Sequence, residues 1–330
     1  MMQRRNLGHA LAAAGAALAA GTAAPGTLQA QPAFPSRPIR LIVAFAAGGA
    51  ADSAARVLAP KMGERLGVAV VVENRTGGSG SNGGAAVAQA TPDGHTLLWD
   101  ASSHLVNPSL LKGLSFDYAT AFLPVTLATT FPQVLAVKAD SPARTLADFI
   151  AMAKARPSAL NIGTQGNATA GHLALAQLQR LAGIELTHAP YRGGADAARD
   201  LAAGVLDGTF ITAISAGPIA DSGRARILAV ATESRLPSRP DIPTFAEAGL
   251  PGLTIAEWCA LFAPAGTPMP VATRLHEAVA AALADPEVRA RLAQIVALPV
   301  GSSPAEFARF VRDGRESMAT LVREAGIRAE

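Results

Sequence analysis

Four short stretches of the chain carry the residue types from which an anion site is built. They are Ala46-Ala47-Gly48-Gly49-Ala50-Ala51-Asp52, Gly77-Gly78-Ser79-Gly80-Ser81-Asn82-Gly83, Thr164-Gln165-Gly166-Asn167-Ala168-Thr169 and Tyr191-Arg192-Gly193-Gly194-Ala195-Asp196. Each is small and polar, and each follows an apolar run that reads as a strand. Glycine lets a ligand come close to the backbone, and the free N–H groups of a helix N-terminus favour negative charge. A single turn of this kind can simply reverse the chain. Four of them, in corresponding places of two halves, point to a ligand site.

Nothing comparable points to a reaction. No G-x-S-x-G elbow occurs in the chain. Ser102-Ser103-His104 sets a histidine beside two serines, but adjacent side chains point apart. His95, His172, His188 and His276 lack the spacing of zinc ligands. Cys259 is the only cysteine, which excludes an internal disulfide and a cysteine-based metal centre. The expectation is therefore a binding protein with no metal and no cofactor. His172, at a helix start after Asn167–Thr169, reads as a structural hydrogen-bonding histidine, while Trp258 fits both a cleft wall and a hinge contact.

One motif argues for an enzyme instead. Gly78-Ser79-Gly80-Ser81-Asn82-Gly83 is a G-x-G-x-x-G after a strand, with Asp100 further on, which suits an NAD-dependent oxidoreductase. Against it, the motif opens the second βα unit rather than the first and precedes only a short helix. An exported protein also has little access to cytosolic NAD.

The elements that must position these turns follow from hydrophobic period. Ile39–Phe45 is a strand buried on both faces; Asp52 or Ser53 can cap the next helix, whose Val57, Leu58, Met62 and Leu66 share one stripe. Val68–Glu73 and Thr96–Trp99 are further strands around a short helix bearing Val87. The pattern restarts with strands at Val134–Val137, Leu160–Gly163, Leu186–Tyr191, Thr209–Ile214 and Ile227–Ala231. Helices Leu146–Ala155, Gly171–Leu181 and Ala195–Ala203 alternate with them. After a strand at Ile255–Ala263 only helices remain, one at Pro270–Leu283 and one near 304–324. The last opens with the capping box Ser303-Pro304-Ala305-Glu306 and carries an apolar stripe of Phe307, Phe310, Val311, Met318, Leu321 and Val322. The reading is α/β, with two doubly wound lobes around a cleft. Lobe 1 comprises residues 31–133 and 257–330, lobe 2 residues 134–256. Two crossings between them make a hinge.

The N-terminus sets the compartment. Arg4 and Arg5 precede the uncharged stretch Leu11–Ala24 and then Leu28-Gln29-Ala30, the pattern of a signal peptide (residues 1–30) cut near Ala30. Removing these residues leaves 26 basic against 25 acidic side chains, a balance with no electrostatic footprint for nucleic acid. The expectation is a periplasmic monomer.

These residues resemble a known family, the Bug or TctC-like solute receptors of tripartite tricarboxylate transporters. The resemblance runs from Phe34-Pro35-Ser36-Arg37-Pro38-Ile39 to Glu324-Ala325-Gly326-Ile327. Its signposts include Phe45-Ala46-Ala47-Gly48-Gly49, Val71-Val72-Glu73-Asn74-Arg75, Pro92-Asp93-Gly94-His95-Thr96, Gly166-Asn167-Ala168-Thr169, Pro190-Tyr191-Arg192-Gly193 and Leu261-Phe262-Ala263-Pro264-Ala265-Gly266-Thr267-Pro268. The resemblance implies a type II periplasmic binding fold (Venus flytrap) that holds a small organic acid between lobes. Partners would be transporter membrane subunits or a sensor protein. It places Ala47, Gly48, Gly49 and Asp52 at the ligand in lobe 1, and Thr164, Asn167, Thr169, Tyr191 and Gly193 in lobe 2. Phe45, Ser79, Ser102, Gln165, Arg192 and Thr212 complete the candidate set. Thr212-Ala213 stands where the family usually has Asp-Asn. With Asp52 occupied at its own helix, no spare acid remains to pair with a ligand ammonium. A plain carboxylic acid is then expected to bind better than an amino acid of the same skeleton.

Overall fold

The computed structural model describes residues 34–324; the signal segment and its cut near Ala30 lie outside the described residues. Strand β1 (Ile39–Val43) alternates its side chains between two apolar layers. Leu41 and Val43 meet helix α1 (Ala50–Leu66), while Ile42 faces Leu98, Leu105 and Phe262. Burial on both faces is what a continuous apolar strand needs, each Leu or Ile contributing ~1.5–3 kcal/mol. α1 ends at Gly67, whose φ of 76° supplies the left-handed C-cap. β2 (Val70–Asn74), α2 (Ser81–Ala88), β3 (Thr96–Ala101) and α3 (Ser103–Leu110) follow.

β4 (Phe122–Lys138) is one strand of 17 residues. Its residues 122–132 pair antiparallel with β9 (Ala256–Pro264), and its residues 133–138 pair with β7 (Gly208–Thr212) and β8 (Ala225–Val230). The ladder to β9 shifts register beside Pro124, which has no N–H to donate. On one side of this crossing the order is β2-β1-β3-β9-β4, with β10 (Leu298–Pro299) also on β4. On the other it is β6-β5-β7-β4, from β5 (Asn161–Thr164) and β6 (Thr187–Pro190), with β8 also on β4. Within each half the outer strands, β1 with β2 and β3, and β5 with β6 and β7, are parallel.

Helices cover both faces of each half. α4 (Leu146–Ala155) and α5 (Ala170–Ala182) pack on one face of the second half, α6 (Gly194–Ala202) and α7 (Ala213–Asp221) on the other. α8 (Met269–Ala284) and α9 (Pro286–Gln294) join the α1 layer through Leu275, Val279, Val288 and Leu292. The capping box starting α10 (Pro304–Glu324) forms as expected, with the Glu306 amide donating to Ser303 Oγ and the Ser303 amide to Glu306 Oε2. Its stripe buries Phe307, Val311 and Val322, but Phe310 is 42% exposed, resting against Trp258 and Phe307. The Leu321 side chain lies outside the described set. Trp258 itself is buried against Phe307 and Phe310, which makes it a packing residue of α10.

Candidate functional site

At the end of β1 the chain turns through the exposed Ala47, Gly48 and Gly49, with Gly48 at a φ of 78°. Neither Asp52 nor Ser53 caps α1: the N-cap is Gly49, which has no side chain to offer. Asp52 instead occupies the third helical position and reaches back outside the helix. Its buried carboxylate accepts the Gly48 N–H at 2.9 Å, the Asn74 amide at 2.8 Å and the Arg56 Nε–H at 2.9–3.0 Å on its two oxygens. Asn74 also donates to the Phe45 carbonyl, so both ends of the turn are fixed from beneath. Burial pushes the Asp52 carboxyl up, but hydrogen bonds from Arg56, Gly48 and Asn74, with the Arg56 charge, outweigh it and leave the group below the usual range.

Beside it, Ser79 is exposed at a φ of 51° and its carbonyl accepts from the Asn107 amide. Gly80 sits where a Cβ would lie 3.4 Å from the half-buried Phe45 ring. Gly83 allows α2 to approach Ala44, a Cβ there falling 2.9 Å from its Cα. The dinucleotide reading meets an obstacle at Asp100. That residue has no exposed surface and is bonded to His104 Nδ1 at 2.9 Å, under the stacked Phe262 ring, where no ribose can reach it. Among the described residues no group of three or more His, Cys, Asp and Glu gathers in a way that could hold a metal.

In the second half the turns are held by neutral groups. Thr164 is buried, and its hydroxyl contacts both the Gly166 backbone and His188 Nε2, the latter at 2.7 Å. Thr169 is the N-cap of α5 and donates to the Gly166 carbonyl at 2.8 Å. His172 Nδ1 accepts the Ala168 N–H, which holds Ala168 at a φ of 58°, a conformation uncommon for a residue with a Cβ. The His172 ring stacks on His188 with centroids 3.8 Å apart; burial and the neighbouring His188 lower its pKa to about 4. His172 is thus the structural hydrogen-bonding residue its position suggested. Asn167 is half-buried in the same turn. Gln165 donates to Gln133 of β4, and Gly171 lets α5 settle on β7, since a Cβ there would stand 2.4 Å from the Phe210 carbonyl oxygen.

After β6, the Tyr191 hydroxyl donates to Asp200 at 2.8 Å, with burial the first cause of its raised pKa and the Asp200 bond and charge the next. Arg192 is exposed, and Gly193 is the extended N-cap of α6. Thr212, the buried N-cap of α7, shares a hydrogen bond with the Ser215 hydroxyl. Of the polar side chains that the sequence singled out, Asp52, Thr164, Thr169 and Thr212 are engaged within their own turns, while Gln165 and Tyr191 bond to Gln133 and Asp200 on neighbouring elements.

The halves meet at the ends of β3 and β5. Within the first half the Ser102 amide donates to Glu257 of β9 at 2.9 Å, and Val106 of α3 clusters with Ala168 and Leu173 of the second half. Among the described residues no hydrogen bond joins the Ala47–Gly49 or Gly78–Gly80 turns to Asn167, Arg192 or Gly193. The sequence reading missed Gln133 and Glu257. Both lie inside strands, where an isolated polar residue reads as an ordinary edge position. Two surface grooves, around Arg65, Met269 and Arg274 and around Arg56, Pro60 and Val70, lie on the outer side of α1 and hold none of the candidate residues.

Two parallel half-sheets crossed by shared antiparallel strands, with helix N-termini at the strand ends, define a two-lobed type II periplasmic binding fold. The chain belongs to the tripartite tricarboxylate transporter family receptor family (TctC), whose model matches residues 54–327. It is 38% identical to a UPF0065 protein encoded in the tcbD-tcbE intergenic region of a Pseudomonas strain, over 98% of this chain and 96% of that one. R. palustris Rpa4515, solved with adipate, superposes with a TM-score of 0.83 at 34% identity, over 89% of this chain and 99% of that one. MatC from Rhodopseudomonas palustris, solved with bound malate, gives 0.78 at 32% identity, over 88% and 100%.

Proposed function

We propose that the chain is an extracytoplasmic solute receptor that captures a small organic acid between two lobes and turns nothing over. The lobes are residues 31–133 with 257–330, and residues 134–256. The observation that carries this reading is the division of labour in the turns. Asp52, Thr164, Tyr191 and Thr212 spend their polar atoms on protein partners, which leaves backbone donors among the groups turned to a ligand, and these suit a carboxylate. The adipate and malate of the two related structures are acids of that kind. The captured acid would pass to the membrane subunits of a tripartite tricarboxylate-type transporter or be read by a sensor protein. The candidate ligand contacts are the Ala47–Gly49, Ser79, Ser102, Thr164–Thr169 and Tyr191–Gly193 turns, with Phe45 and Thr212 at their edges.

A thermal-shift screen of dicarboxylates, hydroxy acids and amino acids tests the reading, because a ligand that binds only the folded state raises its apparent stability. A rise with a small acid, together with compaction in small-angle scattering, is the expected result. Response to NAD(H) alone, or steady consumption of the acid, overturns it. Export with a cut near Ala30 belongs to the same proposal, and the intact mass of the periplasmic protein reads it directly.

A further inference from the structure

The turn from Gly77 to Gly80 is left-handed throughout, with φ values of 110°, 55°, 51° and 93°. Three of its residues are glycines, and only Ser79 carries a side chain. Glycine adopts this conformation freely, whereas a Cβ brings a steric cost, so a serine here has to be held. The serine is exposed, and its hydroxyl has no partner among the described residues.

The hold comes from α3. Asn107 has no exposed surface, and its amide nitrogen donates to the Ser79 carbonyl at 3.0 Å and to the Tyr118 hydroxyl at 2.9 Å. A carbonyl can only accept, so the nitrogen end of the amide must face Ser79. Tyr118 is itself buried, with its ring edge-on to His104 and tilted against Phe116 and Phe122. Asn107 therefore stands between a fixed ring and the carbonyl of the strained residue. The turn is closed by the Gly80 N–H, which donates to the Gly77 carbonyl at 3.1 Å. Strain kept in place by its surroundings, at a position where glycine would carry none, points to a use for the side chain.

We propose, building on the receptor reading, that Asn107 is a positioning residue for ligand binding and acts through Ser79. Its amide holds Ser79 left-handed, and Ser79 so held presents its hydroxyl as a donor to the carboxylate of the bound acid. Tyr118 fixes Asn107 from behind.

Two measurements test this. Hydrogen–deuterium exchange of the ligand-free protein reads the hold. N107A should speed exchange of the Gly80 and Asn82 amides by about tenfold, with β1 unchanged. N107D keeps the size and loses the nitrogen donor, and it carries the same expectation where N107A does not fold. Adding S79G to either variant should bring the rate back to within about threefold of the wild type, because glycine needs no hold at this φ. A residue that only packed α3 would speed exchange over 103–110 and gain nothing from S79G. That pattern, or no acceleration, overturns the assignment. Calorimetry with succinate and with adipate reads the use. S79A keeps the Cβ and removes the hydroxyl; it and N107A should each bind about tenfold more weakly than the wild type. N107A/S79G should stay weak although its turn is restored. Full affinity in S79A overturns the ligand role. A wild type that binds none of the screened acids sinks the receptor reading, while the exchange result still decides the hold.

Discussion

In the β1–β3 half the candidate turn is shaped by charge, and in the β5–β7 half by neutral groups. Asp52, Arg56 and Asn74 form an ionic clamp under the Phe45–Gly49 turn. Thr164, Thr169, His188 and His172 hold the Gly166–Thr169 turn with hydroxyls and imidazole nitrogens. A carboxylate clamp fails only when the acid is protonated, whereas an imidazole acceptor fails when it gains a proton. The two turns should therefore come apart at different acidities.

The largest effect is expected where backbone meets backbone. G171V puts carbon against the Phe210 carbonyl in the second half and should cost about 3 kcal/mol, the upper end for overpacking, measured by urea denaturation. A neutral result would mean that α5 can lift off β7, and that the second-half turn is less rigid than its hydrogen bonds suggest.

Next comes the acid response. His172 is neutral in the folded protein down to about pH 4, while the unfolded chain takes up the proton near pH 6.5. Its share of stability is whole above pH 6.5 and is lost as the pH falls toward 4, on the order of 3 kcal/mol in all. H172N keeps an acceptor for the Ala168 amide and should flatten stability between pH 7 and 4.5. If the wild type shows no slope in that window, the buried imidazole is not what holds this turn.

The first half should respond lower on the scale. Asp52 ionises below its ordinary value of 3.8, so its contribution is present above that pH and lost below it. D52N should cost about 2 kcal/mol at pH 7 and converge with the wild type as the carboxyl protonates. A D52N penalty that persists unchanged at pH 3 would place its cause in shape rather than charge.

The smallest effect concerns the ligand. Calorimetry with succinate against aspartate should favour succinate in the wild type, and T212D should move the preference toward aspartate by about tenfold, ~1.4 kcal/mol. Tighter binding of aspartate by the wild type would show that one of the acids near the cleft is free to pair.

The turns of the candidate site were legible in the sequence because their signals are local. Glycine and small polar residues after an apolar strand mark a βα turn whatever surrounds it, and Gly48, Gly166 and Gly193 were legible on that ground. The helix stripe Val57, Leu58, Met62 and Leu66 is equally local and is buried as a unit. The capping of α1 was misread because Asp52 is within reach of both its own helix and the turn before it, and only Asn74 and Arg56 decide which it serves. The first part of β4 and helix α3 were missed for a related reason. Pro124, Pro132 and Pro108 read as breaks, yet a neighbouring ladder accommodates the first two and Pro108 falls within a short buried helix.

What the sequence alone determined is the class: alternating strands and helices, glycine turns at strand ends, and family motifs along the chain. These follow from period and steric freedom, properties each short stretch possesses by itself. What only the tertiary structure decided is how polar atoms are shared. Glu257 with Ser102, Gln133 with Gln165, and Thr164 with His188 are partners distant in the chain. A buried polar group takes whichever donor or acceptor folding brings within about 3 Å, and chain order does not encode that distance.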